Sequence, residues 1–385
     1  MDNSFSKEEK MFLRFVFFTI ATSSIVLFEP APYDLLMVVL FFIAFFYGHA
    51  RIDSMYIWPV IFLVIFIQTN LISVFFARDI FKAFSYFLIT FYLMITWFLF
   101  TSVSTKFKDK LFPYLFKAYL IAALFSVLVG TVAYFKVLPG LEFTLMEGRV
   151  FAFFKDPNVF GPFLIPPAAY ALIEMGKRSG RHVIQWFCLF FVIAFGVLLS
   201  FSRAAWGQFV LVILMTFLLM KRRTMKRVKI MFFLLIVAIP ILIYIVNSTV
   251  IGELFFARLG LQGYDESRFE NQEYALENIL QYPLGFGPGQ SEVMLDFSAH
   301  SLYVRLIAEN GILGFLSFVV FFFLCIGRSF RLLLTSSGET HGYFVVITVS
   351  LVGILFNSIF IDTIHWRHMW LLLALPWMRI SDYKE

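Results

Sequence analysis

The chain has 385 residues, of which 61% are hydrophobic and only 15% charged, whereas a soluble domain is roughly a quarter charged. No water-soluble core hides that much apolar surface, so a soluble enzyme or binding module is excluded. The net charge of +6 would suit a nucleic-acid binder, but the basic residues sit mostly in short segments between apolar runs, where Lys and Arg orient helices, and nucleic acid is set aside as a partner.

A spanning helix needs about 20 mostly apolar residues. Apolar runs fall at 11–28, 33–47, 55–76, 81–101, 111–135, 158–175, 183–201, 204–220, 230–247, 311–327, 342–361 and 364–378. They predict an all-α polytopic membrane protein with about twelve transmembrane helices. The first run is followed by Glu-Pro-Ala-Pro instead of a small-residue cleavage site, so it reads as a first transmembrane helix and not as a signal peptide. The 54 Phe residues read as packing, and Cys188 and Cys325, both inside predicted spans, as inert packing residues. Residues 1–385 read as a single transmembrane domain with two long outward loops, 136–157 and 247–299. The second loop contains a helix-like stretch, 266–280, followed by Pro-Leu-Gly-Phe-Gly-Pro-Gly.

With the N-terminus placed in the cytoplasm and sides alternating, twenty Lys and Arg residues fall inward and ten outward, leaving Lys117 near a helix start. This asymmetry agrees with twelve spans and two cytoplasmic termini in the inner, cytoplasmic membrane. The exceptions are informative. Arg78, Arg149, Arg203, Arg258, Arg268, Arg305 and Arg367 lie on the outward side at or just beyond helix ends. Guanidinium is permanently charged and presents a planar fork that matches phosphate oxygens, so several of these arginines gathered at one pocket would suit a lipid-linked pyrophosphate. For any single arginine the alternative is snorkelling to headgroups or an ordinary surface pair.

Arg203 stands in Leu-Leu-Ser-Phe-Ser-Arg-Ala-Ala-Trp, between two apolar runs with almost no loop, a costly place for a charge without a partner. Arg268 lies in Glu-Ser-Arg-Phe-Glu-Asn-Gln-Glu-Tyr, where pairing with Glu266, Glu270 or Asn271 competes with ligand contact. His300 ends the long outward loop where an apolar helix resumes. Its imidazole titrates near neutrality and can take a proton from a sugar hydroxyl, with helix capping or packing as the alternative. Arg305 and Glu309 are four apart and can pair on one helical face, before Asn310-Gly311 breaks or bends the helix. Asn158, in Phe-Lys-Asp-Pro-Asn, is available to cap a helix or to contact sugar. The glycine run at 285–289 reads as a tight turn, because nearby prolines and the lack of a following Lys-Ser/Thr argue against a phosphate loop. No Cys or His cluster has metal-ligand spacing, and Asp265, Glu266 and Glu270 form at most a loose carboxylate set, so no metal and no cofactor are expected.

Four segments, in order, carry a resemblance: Gly-Arg-Val-Phe-Ala-Phe-Phe-Lys-Asp-Pro-Asn-Val-Phe-Gly (148–161), Ser-Phe-Ser-Arg-Ala (200–204), Tyr-Pro-Leu-Gly-Phe-Gly-Pro-Gly (282–289) and Ala-His-Ser-Leu-Tyr with Ala-Glu-Asn-Gly-Ile-Leu-Gly (299–314). The chain resembles the bacterial O-antigen ligase and O-antigen or exopolysaccharide polymerase superfamily. The resemblance implies an integral-membrane glycosyltransferase of GT-C type that uses an undecaprenyl-pyrophosphate-linked glycan on the outer face of the inner membrane. It further implies inversion at the anomeric carbon without a metal. The acceptor would be a lipid A-core sugar, as in lipopolysaccharide assembly, or another lipid-linked glycan, with membrane lipids and other polysaccharide-assembly proteins as further partners. Carried over by motif, Arg203 and Arg268 would hold the leaving pyrophosphate and His300 would orient or deprotonate the acceptor hydroxyl. Arg149, Arg258, Arg78, Lys82, Asn158, Arg305 and Glu309 are further substrate-binding candidates. The rival reading is a transporter or flippase for the same lipid-linked oligosaccharide. Transporters place ionisable groups near the bilayer midplane and show repeat symmetry, whereas here the polar residues crowd the outer ends of nearly charge-free spans.

Overall fold

The computed structural model describes residues 5–221, 252, 270, 272–273, 277, 281–294 and 300–381. The expected span at 230–247, together with Arg258 and Arg268, lies outside the described residues. The described helices are α1 (Lys7–Ala21), α2 (Pro32–Phe46), α3 (Ile57–Val74), α4 (Ile80–Phe107), α5 (Phe112–Tyr134), α6 (Pro157–Lys177), α7 (Arg181–Leu199), α8 (Arg203–Leu219), the single turn α9 (Ser291–Met294), α10 (Leu302–Thr335), α11 (Gly338–Asn357) and α12 (Arg367–Ala374). Among the described residues the sheet content is one two-residue hairpin, Leu145–Met146 against Arg149–Val150.

Six helical runs among the described residues are long and apolar enough to cross a membrane: Ser54–Val74, Ile80–Tyr134 (which holds both α4 and α5), Pro157–Lys177, Arg181–Leu199, Leu302–Thr335 and Gly338–Asn357. The helices α2 and α8 are apolar but shorter. Two expectations need correcting. The run at 11–28 stops being helical at Ala21, where Thr22 caps the end and donates its hydroxyl to the Thr19 carbonyl. The run at 364–378 yields only the eight-residue α12 and a 3-10 turn, Leu375–Trp377. Pro376 has no N–H with which to continue the helix, and eight residues rise only about 12 Å, far short of a hydrocarbon core of roughly 30 Å.

The helix starts follow from local chemistry. Ser6 and Glu9 form a reciprocal capping box at α1, with Glu9 N–H donating to Ser6 Oγ at 3.2 Å and Ser6 N–H to Glu9 Oε2 at 2.9 Å. Asp79, Asp156 and Ser202 cap α4, α6 and α8 with side-chain oxygens, each satisfying an N–H that the first helical turn leaves without a partner.

The described residues sort into two compact units. The first draws on 1–47, 109–260 and 335–353, and α6 runs through its middle against α5, α7 and α8. Nearly all of α6 is buried, although it carries Pro162, Pro166 and Pro167 inside the helix. Pro167 supplies no N–H to the Phe163 carbonyl four residues back, and the Tyr119 hydroxyl donates to that carbonyl at 2.9 Å. Such replacement matters in lipid, where no water can fill the gap. Around α6 the rings of Phe112, Phe116, Tyr170 and Tyr343 stack at centroid distances of 5.2–5.3 Å.

The second unit draws on 48–108, 261–334 and 354–385. Its core is aromatic as well, with Trp97 edge-on to Phe321 at 5.6 Å and Phe318 against Trp370 at 5.9 Å. The indole N–H groups are satisfied, Trp97 donating to the Leu373 carbonyl and Trp370 to the Ile364 carbonyl. The long α10 breaks at Gly311, whose φ of 72° and ψ of 178° lie outside the helical region. This confirms the expected bend at Asn310-Gly311 and leaves residues 302–310 as a separate helical arm.

Candidate functional site

The four sequence segments converge in pairs, two within each unit. In the first unit, 148–161 meets 200–204. Gly148, with φ 75°, turns the hairpin so that Arg149 follows it, and the Arg149 guanidinium bridges two elements. Its Nε donates to the Ser200 carbonyl at 3.2 Å and its Nη2 to Asn158 Oδ1 at 3.0 Å. Asp156 caps α6, accepting from the Asn158 N–H at 2.6 Å, so the Asn158 side chain is occupied by Arg149 and does not act as the cap. Gly161 permits the close approach of α6 to the α7–α8 corner: a Cβ there would lie 2.7 Å from both Ser200 Oγ and Ala205 Cβ.

That corner is tight. Only Ser200, Phe201 and Ser202 separate α7 from α8, and Phe201 takes the left-handed φ of 45°. Arg203 is the first residue of α8 and is half-buried. The N-terminal ends of α6 and α8 therefore meet beside two arginines. Both helix ends are capped, α6 by the Asp156 carboxylate and α8 by the Ser202 hydroxyl, so the positive charge of this corner comes from the guanidinium groups of Arg149 and Arg203.

In the second unit, 282–289 meets 299–314. Gly285, Gly287 and Gly289 all have positive φ, at 79°, 106° and 67°, and each N–H is committed to a protein acceptor. Gly285 donates to the Tyr282 carbonyl at 2.8 Å, Gly287 to the Glu309 carbonyl at 3.0 Å, and Gly289 to Glu309 Oε2 at 2.6 Å. Phe286 N–H donates to the Ala308 carbonyl at 3.0 Å. The turn thus wraps the Glu309 carboxylate and clamps the break in α10. With those donors occupied it is no phosphate cradle, in keeping with the expected tight turn.

Arg305 sits one helical turn before Glu309 and is only 6% exposed. Its Nη2 donates to Glu292 at 2.5 Å, its Nη1 lies 3.0 Å from Asp362, and its Nε lies 3.7 Å from Glu309. Lys82 joins at 3.5 Å from the other Glu292 oxygen. Three carboxylates surround two cations, so the Arg305 fork is taken up within the protein. Partial burial alone would raise the Glu292 carboxyl, but the Arg305 charge, its own backbone N–H and Lys82 outweigh burial and hold it below the usual carboxylate range. Gln290 fastens this cluster to the start of α4 by a reciprocal pair, accepting from Asp79 N–H at 2.9 Å and donating to the Asp79 carbonyl at 3.1 Å.

His300 is exposed, takes the left-handed φ of 43°, and stands two residues before the start of α10. Its neighbours are fixed: Leu302 N–H donates to the Ser358 carbonyl at 3.0 Å and the Tyr303 hydroxyl to the Leu355 carbonyl at 2.7 Å. Arg78 is exposed beside the α4 cap, and Arg367 opens α12. Sequence reasoning missed Glu292 and Asp362 as partners of Arg305. Asp362 follows the end of an apolar run and Glu292 lies within the long outward loop, and a search for the counter-charge that a buried arginine requires would have raised both.

Residues 188–319 match the family described as O-antigen ligase. The match supports membership of the O-antigen ligase and polymerase family. It takes in the second half of α7, all of α8, the 302–310 arm and the start of the α10 span, and so includes Arg203, His300, Arg305 and Glu309. No curated protein gives a significant match to the chain. Together with the six candidate spans, the family match supports an O-antigen ligase or polymerase type membrane enzyme.

Proposed function

We propose that the protein is a glycosyltransferase of the cytoplasmic membrane that transfers or polymerises an undecaprenyl-pyrophosphate-linked glycan on the outer face. The observation that carries this reading is the O-antigen ligase match over 188–319, which takes in Arg203, Arg268 and His300. The roles follow from charge. Departure of a pyrophosphate builds negative charge, and fixed cations in a partly dry site stabilise it as it forms. Arg203, at the joined N-terminal ends of α6 and α8, and Arg268 take that role, with Arg149 holding the corner in place and Arg258, Arg78 and Lys82 as further contacts to the donor. His300 orients or deprotonates the acceptor hydroxyl. The chemistry needs no metal, and direct displacement of the pyrophosphate inverts the anomeric carbon.

On this reading Asn158, Arg305 and Glu309 act through position: Asn158 sets Arg149, and the Arg305–Glu309 pair sets the arm that follows His300. The chain forms a single polytopic membrane domain in the GT-C manner, with both termini in the cytoplasm. The twenty-to-ten distribution of basic residues supports that topology. The acceptor is a lipid A-core sugar or a second lipid-linked glycan. Purified protein supplied with lipid-linked glycan alone tests the proposal. Lengthening of the chains identifies a polymerase, and transfer only on addition of lipid A-core identifies a ligase. No transfer under either condition, from protein that remains folded, would refute it.

A further inference from the structure

A second basic feature lies apart from the transfer chemistry, within the first unit. A cavity of about 530 Å³ opens beside the first turns of α1 and α5, lined by Phe5, Arg14, Phe17, Lys110, Tyr114 and Lys117 along with Pro113. The volume is that of a site for a small ligand. Three of the lining residues are cations, and no carboxylate is among them. Arg14, Lys110 and Lys117 are exposed, while Phe17 and Tyr114 are half-buried.

Helix periodicity explains the arrangement. Arg14 and Phe17 are three apart on α1, and Lys110, Pro113, Tyr114 and Lys117 follow the three-and-four spacing of one helical face. Arg14 and Lys117 both stand between one and two turns into their helices, at matching heights of roughly 10 Å or less from the helix starts. Lys110 lies over the Phe5 ring at 5.0 Å, which closes the end of the cavity. The capping box of Ser6 and Glu9 fixes where α1 begins and hence where Phe5 stands.

The turn Lys108–Leu111, with three charged residues, interrupts the apolar run Ile80–Tyr134. Charged residues of that density belong at a membrane–water boundary, so the cavity starts at headgroup depth and continues along apolar helix. Its cations suit phosphate oxygens, and its aromatic wall suits a glycerol backbone and the first acyl carbons. A free anion would use only the cations. Basic pockets between transmembrane helices at this depth bind anionic headgroups.

We propose that this cavity binds the phosphodiester headgroup of an anionic glycerophospholipid, with Arg14, Lys110 and Lys117 on the phosphate and Phe17 and Tyr114 along the upper acyl chains. On the topology given above, the lipid belongs to the inner leaflet. The site is independent of the transfer reaction.

The test uses full-length protein in nanodiscs of phosphatidylcholine doped with equal amounts of phosphatidylglycerol and phosphatidylethanolamine, with retained lipids counted by native mass spectrometry. Wild type is expected to retain phosphatidylglycerol in preference, by about five-fold for each basic residue engaged. The preference disappears in the Arg14→Gln, Lys110→Gln, Lys117→Gln triple variant, survives in Lys110→Arg, Lys117→Arg, and resists millimolar inorganic phosphate. Equal retention of both lipids by wild type, an unchanged preference in the triple glutamine variant, or displacement by inorganic phosphate would each overturn the proposal. Should the triple variant fail to fold, wild type alone decides: phosphatidylglycerol raises its thermal unfolding midpoint and phosphatidylethanolamine does not, and equal shifts would count against the site.

Discussion

Ser291 donates both its backbone N–H, at 3.1 Å, and its hydroxyl, at 2.6 Å, to one oxygen of Glu309, eighteen residues away. The other Glu309 oxygen accepts from the Gly289 N–H. One buried carboxylate thereby holds the glycine turn against the helical arm 302–310 that follows His300.

We predict that Glu309→Ala destabilises the protein by about 3–5 kcal/mol, the scale of removing one partner from a buried charged network. Glu309→Gln should cost less, because an amide oxygen still accepts from part of the turn, while each donor left without an acceptor costs about 1–3 kcal/mol. Denaturant unfolding in detergent micelles measures both. Equal stability of Glu309→Ala and wild type would mean that the turn is held by something other than this carboxylate.

Gly311 and Gly48 offer a matched comparison of glycines with positive φ. Gly311 has φ 72°, and a Cβ there would stand 2.4 Å from the Pro283 carbonyl oxygen, whereas at Gly48, with φ 62°, it meets nothing within 4 Å. Gly311→Ala is expected to cost more than about 3 kcal/mol, from backbone strain and clash combined. Gly48→Ala should cost only the roughly 1–2 kcal/mol of a left-handed residue. Similar unfolding midpoints for the two variants would refute the account of the α10 break.

The pH dependence of stability should carry a Glu292 contribution. Its carboxyl is held below the ordinary range in the folded protein, so its stabilisation is fully present above the unfolded value, roughly pH 4.3, and is lost as pH falls through the lower folded value. Unfolding midpoints measured from pH 7 down to pH 3 should therefore fall less steeply in Glu292→Gln than in wild type. A steeper acid fall in the variant would reverse the sign of the argument.

Because the proposed site relies on fixed guanidinium charge, treatment with a strong chelator should leave glycan transfer intact. Loss of transfer with chelator and recovery with Mg²⁺ would assign the phosphate contact to a metal.

The helices were legible in the sequence because twenty-residue apolar runs leave little choice of structure, and so was the bend at Asn310-Gly311. The last expected span was not. Its run of Trp, Leu and Met reads as membrane helix, and only Pro376 hinted that it stops early. The pairing of Arg305 with Glu309 was visible from spacing alone, but Glu292 and Asp362 reach Arg305 from positions thirteen residues before it and fifty-seven after it, separations that no local pattern encodes. The role of Asn158 was half legible. A polar residue after Asp-Pro announces a helix start, yet which of Asp156 and Asn158 caps, and which takes the arginine, depends on the hairpin that brings Arg149 alongside.

The most direct test of the proposed function is transfer by single-site variants. Vesicles containing wild type, Arg203→Ala or His300→Ala are supplied with lipid-linked glycan donor and acceptor, and product is counted against the amount of folded protein. Each substitution is expected to lower transfer by at least about a hundred-fold, the scale of removing a charge stabiliser or a general base. Wild-type transfer rates in both variants, at normal expression, would contradict the account.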